Sequence, residues 1–289
     1  MTEIELIALL TKKIPRKSGH LKLGIGDDCS ILNFGKKDIL ISVDQLAEGI
    51  HFKRGQAPLE IWGAKGAAAA VSDIAAMGGK PRFAWVALSI PDNMRLTEIR
   101  KFYEGLRKTF KLHKILIAGG NITRSPKGLG ATFTILGEIA AGRAMRRSLA
   151  KPGEQIFVSG LLGRGSFLPK ARVSLGEWLA AKGCRCCIDV SDGLLQDLRH
   201  IAVASKVKMV LNAKKIPFAG KSLRKALTYG EDYELAFTFD KKKLGKPPQK
   251  LGRLTEIGEV KRGKSGLIIL NAKGEEIKFK QEGFQHRIG

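Results

Sequence analysis

Carboxylates placed at turns and strand ends are the feature that most constrains how this chain can fold. The glycine turn Gly24–Gly26 leads into Asp27 and Asp28, and the apolar run 39–43 ends at Asp44. Glycines let the backbone turn tightly and present paired carboxylates, while a buried strand would hold Asp44 nearby. Carboxylates packed this closely repel one another unless a cation lies among them, and their oxygens suit Mg2+. The alternative is a solvated turn beside a strand, and the rest of the chain decides between the two.

The other acids of this kind occupy similar positions. Asp73 lies inside the apolar stretch Val71–Ala76, where an unpaired buried charge would be costly. Only 27 residues of the chain are acidic, and eight of them fall in five short motifs. These eight are Asp27, Asp28, Asp44, Asp73, Asp189, Asp192, Glu231 and Asp232. Because surface acids in such a basic chain should be scattered, the clustering predicts a site with several Mg2+ ions that handles phosphates.

Composition bounds the class of protein. A chain of 289 residues with 44% apolar content is long enough for one large domain or two ordinary ones. It has no run of 18 apolar residues, and its N-terminus does not resemble a signal peptide, so we expect no membrane partner. Four cysteines do not make a disulfide framework in a chain of this size, which favours a cytoplasmic location.

The charge of the chain is strongly positive and evenly spread. The net charge is +24, with an excess of 11 positive charges in residues 1–150 and of 13 in residues 151–289. There is no basic tail and no interleaving of basic and aromatic residues of the kind that marks nucleic-acid binding. We therefore interpret the charge as a generally basic surface compatible with anionic substrates, and we do not expect nucleic acid to be a partner.

Strands and helices alternate through both halves, so the pattern indicates an α+β or α/β protein with two domains. The turn Lys151–Gly153 predicts a boundary between residues 1–150 and 151–289. Predicted strands cover 39–44, 83–90, 115–118, 132–139, 155–159, 186–190, 235–239, 257–260 and 267–270. Predicted helices cover 2–13, 58–79, 96–112 and 194–204. A buried strand at 115–118 would run into a turn at Gly119–Asn121, where backbone N–H groups could approach a phosphate.

The motifs, taken together and in order, resemble those of the thiamine-monophosphate kinase family. They are Gly24–Asp28, Asp44 with Glu48–Phe52, Ser72–Gly78, Gly119–Gly120, Arg147–Ser148 with Lys151–Gly153, Asp189–Leu194 and Gly230–Leu235. The Asp-Asp loop alone also fits the wider AIR synthase-like superfamily, whereas Ser72–Gly78 and Gly230–Leu235 are much more specific to the kinases. The motifs span nearly the whole chain.

The resemblance implies an AIR synthase-like fold, in which an N-terminal domain pairs with its twin in a barrel across a homodimer and precedes a C-terminal α/β domain. It also implies that the substrates are thiamine monophosphate and ATP. The Mg2+ ligands implied by family motifs are Asp27, Ser42, Asp44, Asp73, Asp189 and Asp192, to which we add Asp28 and Asn121. The implied ATP contacts are Tyr103, Gly120, Asn121, Arg147 and Ser191. The implied contacts to thiamine phosphate are His51, Glu231 and Phe284.

The chain departs from the family pattern at three places. Asn121 stands where the family usually has a metal-binding aspartate, the glycine-rich segment after Gly163 is short, and Gln285 replaces an acid. No general base is assigned, because the acceptor in such a reaction is already an ionised phosphate. Two alternatives stay open, namely another ATP-dependent synthetase of the superfamily and a homologue that binds nucleotide or nucleic acid without catalysis.

Overall fold

Two six-stranded sheets form the framework of the structure, a computed structural model that describes residues 3–165, 169–220, 222–279 and 283–284. The first half contains α1 Glu3–Thr11, β1 Leu21–Leu23, β2 Ser30–Asn33, β3 Lys37–Ala47, α2 Leu59–Ala76, β4 Lys80–Pro91, α3 Leu96–Leu112, β5 Leu116–Ser125 and β6 Gly130–Ala140. The second half contains β7 Gln155–Ser159, α4 Val173–Lys182, β8 Cys186–Asp189, α5 Leu194–Ser205, β9 Lys208–Asn212, α6 Leu223–Thr228, β10 Leu235–Phe239, α7 Lys241–Leu244, β11 Leu254–Lys261 and β12 Gly266–Leu270. The predicted mixture of helices and strands in both halves is confirmed.

The first sheet has the strand order β1-β2-β3-β6-β4-β5, and only the β4–β5 pair is parallel. Successive strand residues point to opposite faces, and here one face is buried and the other is open. Leu40 and Phe133 lie in the core beneath α2 and α3, whereas Val43 and Trp85 on the other face are 65% and 38% exposed. The open face is apolar and β5 forms one edge of the sheet.

The small residues of α2 allow two helices to pack very closely. A Cβ atom at Gly63 would overlap the carbonyl oxygen of Phe102 in α3, and a Cβ at Gly105 of α3 would overlap the carbonyl oxygen of Glu60. Each helix therefore places a glycine against the backbone of the other. This close approach fixes the position of α2 over the sheet, and α2 carries Asp73.

The second sheet has the order β12-β9-β11-β7-β10-β8, and only the β12–β9 pair is parallel. Its two faces are covered by different helices. Ile156 and Val158 of β7 face the core formed with α5, whereas Phe157 of the same strand packs with Phe237 and the residues of α4. Because both faces of this strand are buried, 155–159 reads as a continuous apolar run and does not alternate between apolar and polar residues.

Two predictions about the edge of the first sheet differ from the structure. The strand predicted at 115–118 is the longer β5, which is mostly exposed, and Gly119–Asn121 lie within it and not in a turn. Gly120 is required there because a Cβ would overlap the carbonyl oxygen of Val86 on the neighbouring strand. Strands β1, β2 and β9 and helices α4, α6 and α7 were not predicted from the sequence. None of the helices in the described ranges is long and apolar enough to cross a bilayer.

The two halves are joined through α2 and α4. A Cβ at Gly176 of α4 would overlap the carbonyl oxygen of Ala75 in α2. A Cβ at Gly78, just after α2, would overlap the Cβ of Ala180 in α4. We propose that the two sheets are the cores of two domains, with the boundary near Lys151–Gly153. Their relative position depends on this glycine contact, which lies beside the position of Asp73 on α2.

We predict that Gly176→Ala destabilises the protein by about 1–3 kcal/mol, because the added methyl group must displace the backbone of α2. Urea denaturation measures the change in the free energy of unfolding. The matched control is Gly130→Ala, whose Cβ would meet nothing closer than Ser89 Cβ at 3.5 Å and should change stability little. Equal stability of the Gly176→Ala variant and the wild type would contradict the close contact between α2 and α4.

Candidate functional site

Three carboxylates from different elements meet between the two halves of the chain. Asp28 lies in the loop before β2, Asp73 lies on α2, and Asp189 ends β8. Oxygen atoms of all three lie within 4.8 Å of one another. Asp28 and Asp189 are 9% and 2% exposed, so water screens their charges poorly. The three residues that the sequence assigned to metal binding from separate motifs are therefore brought together.

The neighbouring strand β3 adds two further predicted ligands to the same region. Ser42 and Asp44 are two residues apart, so they point to the same face of the sheet, which is the face covered by α2. The Ser42 hydroxyl donates a short hydrogen bond to Oδ2 of Asp73. Asp44 accepts a hydrogen bond from the backbone N–H of Gln45 at 2.7 Å and lies on the cleft wall.

Arg147 neutralises part of the cluster. Its guanidinium donates to both oxygens of Asp28, with Nη2–Oδ1 at 2.7 Å and Nε–Oδ2 at 3.3 Å. Its backbone N–H donates to the Asp27 carboxylate at 3.1 Å. Burial alone would lower the pKa of Arg147, but Asp28 and then Asp27 raise it above its usual value. Arg147 thus stays charged and ties the Asp27–Asp28 loop to the start of the second half.

Asp27, Asp73 and Asp189 do not ionise freely. Burial, followed by the charge of Asp28, raises the pKa of Asp27 from 3.8 to about 7, and the same two causes raise that of Asp189 to about 7. Burial and then the charge of Asp189 raise the pKa of Asp73 well above its usual range. Each of these shifts reports that negative charge is unfavourable where no cation compensates it.

The residues fit a magnesium site on the observations of this structure. The donors are carboxylate oxygens, which are the hard ligands that Mg2+ prefers. Oδ2 of Asp189 is buried and finds no hydrogen-bond partner among the described residues, so it is available to a cation. Such an oxygen is costly to bury unless something binds it. The cluster Asp28–Asp73–Asp189 is therefore a candidate metal centre.

Asp73 and Asp189 line a cleft of about 780 Å³ between the two halves. Six of the other predicted contacts also line it, namely Asp44, His51, Ser191, Asp192, Glu231 and Phe284. His51 accepts a hydrogen bond at Nδ1 from the backbone N–H of Ala47 at 3.0 Å, which fixes the orientation of its ring. Phe284 is held at the cleft by its N–H, which donates to the carbonyl of Asp192 at 2.8 Å. Gln285 lies outside the described residues, as do 166–168 in the short glycine-rich segment.

A second group of predicted site residues lies elsewhere in the chain. Tyr103, Gly120 and Asn121 line a separate pocket beside the edge strand β5. Across the first sheet Asp44 pairs with Phe133, Phe133 with Val86, and Val86 with Gly120. Three strand spacings of ~4.8 Å place Gly120 about 14 Å from Asp44. The structure therefore does not bring Asn121 to the aspartate cluster of its own chain, contrary to the sequence-based expectation.

Two buried residues near the cleft were missed from the sequence. Asp197 is 2% exposed, and its Oδ2 accepts hydrogen bonds from the backbone N–H groups of Asp192 and Gly193 at 3.2 and 3.1 Å. It shapes the loop that presents Asp192. The signal was an acid at an inward position of α5, three residues after Leu194. The second residue that the sequence analysis did not identify is Lys65 on α2, which also lines the cleft.

We predict that the metal-free protein loses stability as the pH rises from about 4 to about 7. Asp27 and Asp189 have folded-state pKa values of about 7 against 3.8, so their contribution is fully present below pH 3.8 and is lost as the pH rises through 7. Thermal unfolding in a chelator measures this. Mg2+ should raise the Tm more at pH 8 than at pH 5, because it binds the ionised acids. An Asp189→Asn variant should show a weaker dependence on pH, and an equal dependence would contradict the assignment.

Comparison with known proteins agrees with the geometry. The family described as AIR synthase related protein, N-terminal domain, matches residues 26–139. The thiamine-monophosphate kinases of Bacillus subtilis (strain 168) and Escherichia coli (strain K12) are 31% and 32% identical, and the alignments cover 99% and 98% of this chain and equal shares of theirs. The solved structure of AaThiL complexed with AMPPCP and TMP superposes with a TM-score of 0.86 at 29% identity, covering 99% of this chain and 97% of that one. The predicted AIR synthase-like fold is thereby confirmed, and the chain belongs to the thiamine-monophosphate kinase family.

Proposed function

We propose that this protein transfers the terminal phosphoryl group of ATP to thiamine monophosphate, giving thiamine diphosphate and ADP. One observation carries the proposal: the carboxylates of Asp28, Asp73 and Asp189 lie together, and Asp73 and Asp189 line the same cleft as Glu231 and Phe284. The family membership supports the same substrates, since AaThiL has been solved with the ATP analogue AMPPCP and with TMP. The cleft is large enough for two small ligands placed end to end.

The chemistry suits a site rich in aspartate. The acceptor is a phosphate monoester whose second pKa is about 6, so at neutral pH it is largely a dianion. Its oxygen forms the new P–O bond while the bond between the terminal phosphorus and the ADP oxygen breaks, and no proton has to be removed. The barrier lies in bringing two polyanions together in line. Mg2+ would supply charge neutralisation and alignment when bound. No general base is needed, because the acceptor oxygen is already ionised.

Different residues along the cleft would bind the metal ions, ATP and thiamine phosphate. We propose that Mg2+ ions are held by the set Asp27, Asp28, Ser42, Asp44, Asp73, Asp189 and Asp192. Arg147 and Ser191, which lie beside this set, would contact ATP. His51, Glu231 and Phe284 would contact thiamine phosphate, because they line the cleft beyond the aspartates. The cytoplasm is the proposed place of action, and the four buried free thiols of the chain are compatible with it.

We further propose a homodimer formed through the first sheet. Its open face carries Val43, Phe83 and Trp85, and an apolar face of this kind is normally covered. The edge strand β5 has backbone groups that a second copy could pair or cover. Tyr103, Gly120 and Asn121 lie at this edge and not in the cleft of their own chain. A dimer through this sheet would account for how they take part in ATP binding, by placing them at the partner's cleft.

Asp73→Asn should lower turnover by at least about a hundred-fold, because it removes a charge from the metal centre that stabilises the transition state. The measurement is chromatographic detection of thiamine diphosphate formed from ATP and thiamine monophosphate at limiting Mg2+. Glu259→Gln is the control, since Glu259 pairs with Lys261 on the surface of the second half, outside the cleft. The Tm of Asp73→Asn should not fall, because the lost charge was buried and repelled by its neighbours.

Three results, from this assay or from binding measurements, would count against the proposal. Wild-type activity in Asp73→Asn would remove the metal assignment. Turnover of ATP with a different acceptor would favour another synthetase of the same fold. Salt-sensitive binding to random DNA without turnover of ATP would favour a homologue that binds without catalysis, and would also overturn the expectation that nucleic acid is not a partner.

Trp85→Glu should convert the dimer to a monomer and reduce activity, because it places a charge in the centre of the proposed interface. Light scattering at micromolar concentration should give twice the 31.5 kDa chain mass for the wild type and the single mass for the variant. Val203→Glu is the control, because Val203 is also exposed but lies on α5 of the second half. A monomeric wild type would contradict the proposed dimer.

A further inference from the structure

A buried lysine at the cleft has no part in the metal centre or in the assignments above. Lys65 lies on α2, and only 5% of its side chain is exposed. It is the one lysine among the buried charged residues in the described part of the chain. Burying an ammonium group is unfavourable unless a partner compensates the charge. The position of this lysine therefore needs an explanation.

Its partner is Glu231, which comes from the other half of the chain. Nζ of Lys65 lies 2.6 Å from Oε1 of Glu231 and 5.4 Å from the centre of the Trp62 ring. The Glu231 side chain is 41% exposed, and both residues line the cleft. One carboxylate oxygen is therefore held by a buried ammonium group while the side chain remains accessible from the cleft.

The backbone around Glu231 is held in an unusual conformation. Glu231 and Tyr233 have φ angles of +66° and +51°, in the left-handed region that side chains other than glycine rarely adopt. Two hydrogen bonds impose this shape: the N–H of Glu231 donates to the carbonyl of Ser191 at 2.8 Å, and that of Tyr233 donates to Val190 at 2.9 Å. Strained residues persist only where their surroundings enforce them, and they are concentrated at functional sites.

A second contact fixes the same loop to the glycine-rich segment. The carboxylate of Asp232 accepts hydrogen bonds from the backbone N–H groups of Gly163 and Arg164 at 2.7 and 3.0 Å. The backbone of Glu231 is thus set on both sides. Its long side chain is the part that still has rotamer freedom, and the ammonium group of Lys65 restricts that freedom.

The lysine and the metal centre lie at different ends of the cleft. Lys65, Ala69 and Asp73 follow one face of α2 at intervals of four residues, and all three line the cleft. Eight residues of helix place Lys65 about 12 Å along the axis from Asp73. The Lys65–Glu231 pair therefore lies away from the aspartates that would hold the transferring phosphates.

We propose that Lys65 is a positioning residue, which orients the Glu231 carboxylate toward the thiamine part of the substrate. This inference rests on the proposed function, because it assigns the pair to the non-reacting end of that substrate. Binding is tighter when the recognising group is already held in its bound orientation. Lys65 acts through Glu231 and does not touch the reacting phosphates. Loss of the lysine should therefore weaken the binding of thiamine monophosphate and leave the chemical step unchanged.

The test is a double-mutant cycle with Lys65→Met, Glu231→Gln and the double variant. Lys65→Met should raise the KM for thiamine monophosphate about ten-fold, with kcat and the KM for ATP within about two-fold of wild type. The double variant should be no worse than Glu231→Gln alone, because the lysine acts through the glutamate. Lys65→Arg should recover part of the affinity. Lys22→Met is the control, since Lys22 makes an ion pair of comparable length with Asp38, at 2.7 Å, outside the cleft, with the acid as the buried partner.

Several outcomes would overturn the assignment. A fall in kcat with an unchanged KM would place Lys65 on the transferring phosphate, and additive effects in the double variant would show that it acts independently of Glu231. An unchanged KM would leave Lys65 a purely structural residue, and thermal unfolding reports whether each variant is folded. If the wild type forms no thiamine diphosphate, the proposed function fails, and calorimetric binding of thiamine monophosphate to the wild type and to Lys65→Met decides this proposal separately. Absence of binding to the wild type would overturn both.

Discussion

Repulsion among buried carboxylates is the constraint on which the rest of this structure depends. The fold draws Asp28, Asp73 and Asp189 from a loop, a helix and a strand end until their oxygens lie within 4.8 Å. Negative charges at this separation and burial are stable only with protons or cations among them. Burial, and then the neighbouring charges, therefore raise the pKa values of Asp73 and Asp189. Arg147 compensates the Asp27–Asp28 pair, and the remaining charge is left for a divalent cation. The repulsion lowers the stability of the fold, and the site that results is prepared for cations and phosphates.

Close packing of glycines gives the site its rigidity. Helix α2 carries Lys65, Ser72 and Asp73, and it is set against α3 and α4 through glycine contacts that admit no Cβ atom. Small shifts of α2 would change both ends of the cleft at once, because the metal centre and the Lys65–Glu231 pair lie on the same helix. The long alanine-rich sequence of α2 is thus a packing requirement, and it also serves the site.

Regular periodicity decided which parts of the fold could be predicted. Helix α3 and strands β7 and β10 have the predicted bounds, because their apolar patterns are strong and end at clear polar residues. Strand β5 was mistaken for a short buried strand and a turn, because an edge strand carries few apolar residues. Its Gly120 is required by close contact with the backbone of Val86, which the sequence does not show. The acids of the candidate metal centre were proposed from their motifs, and the structure brings Asp28, Asp73 and Asp189 together. The remote position of Asn121 and the pairing of Lys65 with Glu231 depend on strand register and on the packing of the two halves, which no local pattern encodes.

The central claim is that Mg2+ binds at the buried aspartates, and proton release on binding tests it most directly. Asp27 and Asp189, with pKa values of about 7, are each about half protonated at neutral pH. Ligating carboxylates must be ionised, and the pKa of Asp73 is also raised, so Mg2+ binding at pH 7 should release at least one proton per chain. Calorimetric titration of the nucleotide-free protein in two buffers of different ionisation enthalpy measures this number. The expected result is release of at least one proton from the wild type and of fewer protons from Asp189→Asn. Binding of Mg2+ without proton release, or no binding at all, would contradict the account.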